Sequence, residues 1–293
     1  MSKPTLSGCT FIRNGSTLGF PFVESILSII DIVDEFVITV GKGSDDTLDQ
    51  IKSIKSSKIK IIETTWNEKM SQRGFVYAQQ KMISQYACTS DWVFYLEGDE
   101  IVHEKDHAAI QNALNQNHNK PEIEALVFDY HHFYGSPEWL AVSPRWYRRE
   151  CRIIRNTIRS FAPDGQYWVV MSKNRKGRYP VSALANAHIY HYGHVRQIEK
   201  MQLKAEQVSK YWDQPAPQMT YENVDPHSLR PFKGSHPKAI LNWLNENAEK
   251  KYDPPELNFS NLSLRDKKHR ISMFFEKALH IDLSKKHYKL AID

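Results

Sequence analysis

The sequence predicts an α/β protein built on a mostly parallel sheet with helices on both faces. Two observations carry this. Short apolar, β-branched runs alternate with longer runs of helical spacing through the first hundred residues. The fourth of the short runs, Trp92 to Leu96 (WVFYL), is continuously apolar, as a strand covered on both faces must be.

The elements follow in order. Thr5 to Ile12 reads as a strand and Phe22 to Ile32 as a helix with apolar Phe22, Ile26, Leu27 and Ile30. Glu35 to Val40 (EFVITV) is a second strand, broken by Gly41-Lys42-Gly43-Ser44-Asp45-Asp46. Thr47 to Ile54 resumes helical spacing and Lys58 to Thr64 is a third strand. Ser71 to Ala87 is a helix with Phe75, Val76, Gln79, Met82, Ile83 and Tyr86 down one face. Later, Glu124 to Phe133 and Ala187 to Val195 read as strands, and Gln197 to Trp212 as a helix. The stretch from Gln214 to Pro237 is a proline-rich connector. Two more helices, near Pro237 to Lys250 and Ser263 to Leu279, finish the chain. The expected division is an α/β domain over 1–212, in two halves at 1–103 and 104–212. A connector and helical basic tail occupy 213–293.

At 293 residues, 41% hydrophobic and 25% charged, the chain has the composition of an ordinary globular protein. Net charge is +5, and from residue 261 onward eight Lys/Arg face four acids, so the tail holds +4 of it. Such a tail is either a solvated face or a contact with an anionic membrane surface. The three cysteines, Cys9, Cys88 and Cys151, show no paired spacing, which fits a reducing compartment and excludes a thiolate zinc motif. The chain shows neither a secretory signal pattern nor an apolar run long enough for a membrane span. The expectation is a cytoplasmic protein.

Leu96-Glu97-Gly98-Asp99-Glu100 is the most informative segment. A buried strand ends and three carboxylates arrive within four residues. Ligands of parallel sheets bind at the carboxyl ends of strands, where this loop lies. In extended backbone Glu97 and Asp99 face one side. Two such carboxylates repel unless a cation sits between them, and Mg²⁺ or Mn²⁺ suits carboxylate and diphosphate oxygens. Gly98 permits close approach of the backbone to a ligand. The other reading is an ordinary acidic surface turn.

The stretch from Leu6 to His103 resembles the nucleotide-binding half of family 2 glycosyltransferases, which have the GT-A fold. The likeness is carried by Phe11-Ile12-Arg13-Asn14 after the first strand, Gly43-Ser44-Asp45-Asp46-Thr47 after the second, and Leu96-Glu97-Gly98-Asp99-Glu100 in place of the family's Leu-Asp-x-Asp-Glu. The order and spacing of all three agree. Two departures stand out: Glu97 replaces the motif's first aspartate, and Gly41-Lys42 replaces the acid that reads the base. The resemblance implies a nucleotide-sugar donor held by Arg13, Asn14, Lys42, Ser44, Asp45, Asp46, Arg73, Glu97, Gly98 and Arg196. It also implies Mn²⁺ or Mg²⁺ held by Asp99, with Glu97 and His191, and a glycan or glycolipid acceptor.

Further along, Ala187-His188-Ile189-Tyr190-His191-Tyr192-Gly193-His194-Val195-Arg196 holds three histidines. If extended, His191 takes one face and His188 and His194 the other. His191 is then either a late metal ligand or a packed strand residue. Arg145, Arg148, Arg149, Arg152, Arg155 and Arg159 form a second cluster, suited to diphosphate or to surface charge balance. An inverting transfer needs a general base; Asp164, in Ala162-Pro163-Asp164-Gly165-Gln166, is the first candidate and Asp129 the second. Tyr134, Trp139, Trp146 and Trp168 are candidates for a sugar-stacking wall, or for core.

Two other classes compete. A nucleotidyltransferase shares the sheet and acidic loop, but its Gly-rich phosphate loop is replaced here by Arg13-Asn14-Gly15-Ser16. A non-catalytic binder of membrane or nucleic acid would act through the basic tail; no nucleic-acid motif is present, so no nucleic-acid partner is expected.

Overall fold

The computed structural model describes residues 3–174, 176–249, 252–256 and 259–291. Its strands are β1 (Leu6–Ile12), β2 (Glu35–Gly41), β3 (Ile59–Thr64), β4 (Trp92–Tyr95), β5 (Glu100–Val102), β6 (Ala125–Tyr134), β7 (Ser136–Ala141), β8 (Arg149–Arg155), β9 (Ser160–Phe161), β10 (Val169–Met171), β11 (Gly177–Arg178), β12 (Val181–His194), β13 (Leu229–Pro231) and β14 (Lys289–Leu290). Its helices are α1 (Phe22–Ile29), α2 (Thr47–Ser53), α3 (Phe75–Tyr86), α4 (His107–Asn117), α5 (Ile198–Lys210), α6 (Leu241–Asn247) and α7 (Leu264–Leu279).

The first half is the parallel unit the alternation predicts. β2 lies between β1 and β3, and β1 pairs with β4 on its other edge, all parallel. β1 and β2 are buried along almost their whole length, which is why they read as apolar runs rather than alternating ones. Beyond β4 the sheet continues through antiparallel β8 to β6, and β6 runs parallel to the long β12. β7 and β13 extend the β6 end, while β5 and β14 add to β12. A mixed α/β sheet flanked by helices, parallel through β1 to β4, is thus present.

Two apolar layers cover the sheet. On one face α1 and α4 bring Phe22, Ile26, Ile29, Ile110 and Leu114 against Phe36, Ile38, Trp92, Phe94 and Phe128. On the other, Cys9, Val37, Val93, Tyr95, Cys151 and Trp168 pack together, and Tyr288 from the chain's end joins them.

Helix α3 departs from its sequence pattern. It buries Gln80, Lys81, Ser84 and Gln85 and leaves Phe75 and Tyr86 exposed. The polar face turns inward because each group finds a partner there. Gln80 accepts from the Thr64 hydroxyl at 2.6 Å, and Gln85 accepts from Trp168 Nε1 at 2.7 Å. The Lys81 ammonium lies 4.0 Å from the Tyr95 ring centre and 4.1 Å from that of Trp168.

Candidate active site

The acidic loop forms where β4 gives out. The Thr10 hydroxyl donates to the Leu96 carbonyl at 2.6 Å, pinning the strand end to β1, and Glu100 N–H returns to the Glu97 carbonyl at 3.0 Å. β5 then pairs with β12, setting Glu100 opposite His191, and Tyr192 N–H donates to the Asp99 carbonyl at 2.8 Å. Residues far apart in sequence are thereby delivered to one loop.

Protein cations resolve the carboxylate repulsion. Arg152, fully buried on β8, holds Glu100 with two bonds of 2.7 Å and reaches Glu97 at 3.2 Å. Asp99 Oδ2 accepts from Arg196 at 2.8 Å and from Lys204 at 2.9 Å. Glu97 and Asp99 therefore do not converge as a matched pair; each has its own counter-charge. Burial, then Glu100, pushes the Glu97 carboxyl up to about 7. Burial acts on Asp99 in the same direction, but Lys204, His191 and Arg196 outweigh it and hold that carboxyl well below the usual range.

The histidines fix one another's tautomers. His132 Nε2 donates to the Tyr147 carbonyl at 2.8 Å, and burial keeps His132 neutral. Its Nδ1 must then accept, so at 2.9 Å the donor is His191 Nδ1–H. His191 Nε2 is left facing Asp99 Oδ1 at 3.6 Å. Gly193 is required beside it, since a Cβ there would sit 2.4 Å from His191 Nε2. His188 and His194 do not share a face as alternation predicts. The β6–β12 register shifts between His191 and His194, so both line the same pocket with ring centres 6.3 Å apart. His188 turns away to stack on His131.

The pocket has a volume of about 600 Å³ and opens at the carboxyl ends of β1 and β4. Phe11, Ile12, Arg13, Tyr95, Glu97, Gly98 and Asp99 line one side. Helix α5 supplies Met201, Lys204, Ala205, Gln207 and Val208, followed by Trp212. Trp146, Tyr147, Gly165 and Gln166 close another side, and Arg265, Lys285 and His287 reach in from the C-terminal segment.

Among the expected donor residues, Arg13, Glu97 and Gly98 line the pocket. Arg13 is braced by the Lys42 carbonyl at 2.9 Å, Glu68 at 2.5 Å and Tyr211 at 3.1 Å. Asn14 builds the neighbouring loop instead, its Oδ1 accepting from Ser44 N–H at 2.9 Å. The Asp45 carboxylate is occupied by Thr17 and Thr47, and Asp46 accepts from Gln50 at 3.1 Å. Lys42 and Ser44 are exposed outside the lining. Arg73 faces a separate cavity, with Gln72, Trp212, Asp213 and Gln214. Arg196 corrects its expected role. It is 1% exposed and bound to Gly19, Gly193 and Asp99, so it supports the loop, and of the two cations on Asp99 it is Lys204 that lines the pocket.

The base candidates also separate. Asp164 accepts from Gln166 N–H at 2.8 Å and lies next to the lining, to which its neighbours Gly165 and Gln166 belong. Asp129 is ion-paired to Arg149 at 2.6 Å, away from the lining. Of the arginine cluster, Arg145 lines the pocket, whereas Arg148, Arg149, Arg152 and Arg155 are taken up by acids or carbonyls. Trp146 is the wall residue that reaches the pocket; Trp168 is core. Sequence reasoning missed Lys204, His132 and His287, whose Nδ1 meets Glu150 at 2.5 Å, and put His194 on the face opposite His191.

Among the described residues no group of three or more His, Cys, Asp or Glu side chains is placed to hold a metal ion. Asp99 Oδ1 and His191 Nε2, at 3.6 Å, form a pair that fits. A divalent ion held there would take two protein ligands and depend on substrate oxygens and water for the rest of its shell. Glu97, drawn to Arg152, is not part of that pair.

No protein-family model matches the chain, and no curated protein does. Solved structures similar to it include residues 1–349 of S. aureus TarS, at 10% identity over 71% of this chain and 65% of that one, with a TM-score of 0.38. The same fragment with UDP gives 13% identity over 52% and 47%, TM-score 0.34. With UDP-GlcNAc it gives 11% over 52% and 45%, TM-score 0.35. The chain thus spans less than two thirds of the length of each of these three chains.

Proposed function

We propose that the chain is a nucleotide-sugar-dependent glycosyltransferase of the family 2 kind, which moves a sugar from a nucleoside-diphosphate donor to a hydroxyl of a glycan or glycolipid. The observation that carries this reading is Asp99, buried beneath the pocket at the carboxyl end of β4, with Lys204 and His191 on its two oxygens. A diphosphate entering here meets Lys204 and Arg13. Asp99 and His191 would hold Mn²⁺ or Mg²⁺, which when bound neutralises the leaving diphosphate. Asp164 is the general base, taking the acceptor's proton as the hydroxyl attacks with inversion.

A second reading of the charge balance has its own support. Arg196 and Lys204 already bring two cations to one oxygen of Asp99. Donor binding then rests on protein cations and is indifferent to metal. Calorimetry with UDP-GlcNAc, the sugar nucleotide of one similar structure, and with other nucleotide sugars decides the matter. Binding in Mn²⁺ that is lost in EDTA supports the metal. Equal binding in both supports the protein cations. No binding of any nucleotide sugar in either condition overturns the transferase reading. The chain acts at the cytoplasmic side on this reading, and no helix among the described residues is long and apolar enough to cross a membrane.

A further inference from the structure

Helix α7 is packed inside out. Leu264, Ile271, Phe275 and Leu279, spaced by seven, four and four, lie on one stripe with Phe274 beside it. A helix on a globular protein normally turns such a stripe to the core. Here Leu264 is 86% exposed and Phe274 68%, and the buried residue of the helix is Glu276. The polar face turns inward because it is bolted there. Arg148 holds Glu276 with bonds of 2.6 and 2.7 Å, and Arg270 binds Asp225 through Nε at 3.0 Å. The exposure is local to this part of the chain: of fourteen exposed large hydrophobics among the described residues, nine fall between Phe259 and Leu290.

We infer that the outward face of α7 docks on an anionic lipid bilayer. Charge selects this occupant over a second copy of the chain. Exposed Lys268 falls on the stripe, between Phe275 and Leu279 in helical angle, Lys267 borders it, and the segment from residue 261 carries +4 of the net charge. Two copies meeting through this face would set those cations against each other, whereas anionic headgroups neutralise them while acyl chains receive the phenylalanines. The docked helix also adjoins the pocket, because Arg265 at its start and Lys285 just after it are lining residues. An acceptor anchored in the same membrane would therefore reach the pocket without leaving the lipid surface. This last point rests on the transferase reading; the docking itself does not.

The test is vesicle co-sedimentation of the full chain with no donor present, so that its outcome is independent of sugar transfer. Phosphatidylcholine vesicles containing about 30 mol% phosphatidylglycerol are compared with phosphatidylcholine alone. Binding should require the anionic lipid and fall at least ~10-fold in about 0.5 M salt. Phe274→Ser/Phe275→Ser and, separately, Lys268→Glu should each weaken it ~10-fold or more, with thermal melting unchanged because these side chains are exposed. Absence of binding to anionic vesicles overturns the proposal. So does a dimer, measured by light scattering, that Phe274→Ser/Phe275→Ser dissolves, since a second copy then covers the face.

Discussion

Asp99 sits where three demands meet: it is buried, it caps the end of a central strand, and it faces a pocket. A lone carboxylate in that position would be protonated or expelled. Lys204 and Arg196 keep it ionised, and they make Asp99 and Lys204 separable in experiment. Asp99→Ala should remove any Mn²⁺-dependent gain in donor affinity and leave buried Arg196 and partly exposed Lys204 without their carboxylate, lowering stability by about 3 kcal/mol. Lys204→Met should weaken donor binding ~10-fold while preserving the metal response. The two calorimetric profiles coincide only if the loop has no part in donor binding. Asp164→Asn should reduce turnover by ~100-fold or more with donor affinity nearly unchanged. Near wild-type turnover would move the role elsewhere, with His287, carried by Glu150 and lining the pocket, next in line. Asp99 was legible in the sequence because its signal is local: an apolar strand followed by clustered acids. Lys204 was not, since nothing in the spacing of α5 says that one of its lysines meets a residue 105 positions earlier.

At the scale of elements, one charged side chain ties the parallel unit together. Glu35, at the start of β2, accepts from Ser7 of β1 at 2.6 Å, from Lys60 of β3 at 2.5 Å and from Thr89 ahead of β4 at 2.6 and 2.8 Å. Burial pushes its pKa up, but the bonds from Lys60, Ser7 and Thr89 win and bring it down to about 2. A carboxyl depressed in this way stabilises the fold fully above its ordinary value near 4.5. That contribution fades as pH falls toward 2. Glu35→Gln should cost about 2 kcal/mol near neutral pH, after discounting the half-exposed Lys60 for screening. The gap to wild type, followed by urea titration, should hold from pH 7 to 5 and narrow steadily below 4.5. A gap that is flat down to pH 2.5 would show that Glu35 does not act through its charge. The strands themselves were legible because buried parallel strands are uninterrupted apolar runs. The inward face of α3 and the bulge in β12 were not. Periodicity assumes that apolar residues turn inward and that alternation never slips. Lys81 and Gln85 break the first assumption with buried partners, and the shift between His191 and His194 breaks the second.

For the whole molecule, the last stretch of chain is part of the α/β body rather than an appendage. β14 pairs with β12, Tyr288 is 8% exposed in the sheet's second core layer, and His287 meets buried Glu150. Arg148 is held by Glu276 and Asp282, and Arg265, Lys285 and His287 line the pocket. The sequence showed the charge of this region but not its docking, because its contacts lie more than a hundred residues away. A chain ended at Glu256 therefore loses more than a membrane contact. Removing Tyr288 gives up about 2 kcal/mol of burial. Leaving the buried Glu150 carboxyl without its hydrogen bond to His287 adds about 3 kcal/mol. At about 2 °C per kcal/mol for a chain of this size, melting should fall by about 10 °C. Donor affinity should drop with it, because three lining residues are gone. Phe274→Ser/Phe275→Ser, by contrast, should melt and bind donor like the wild type and differ only on vesicles. If the truncated chain melts at the wild-type temperature and binds donor normally, the C-terminal segment is a separable tail, and its contacts with Glu150 and Arg148 contribute nothing to the fold.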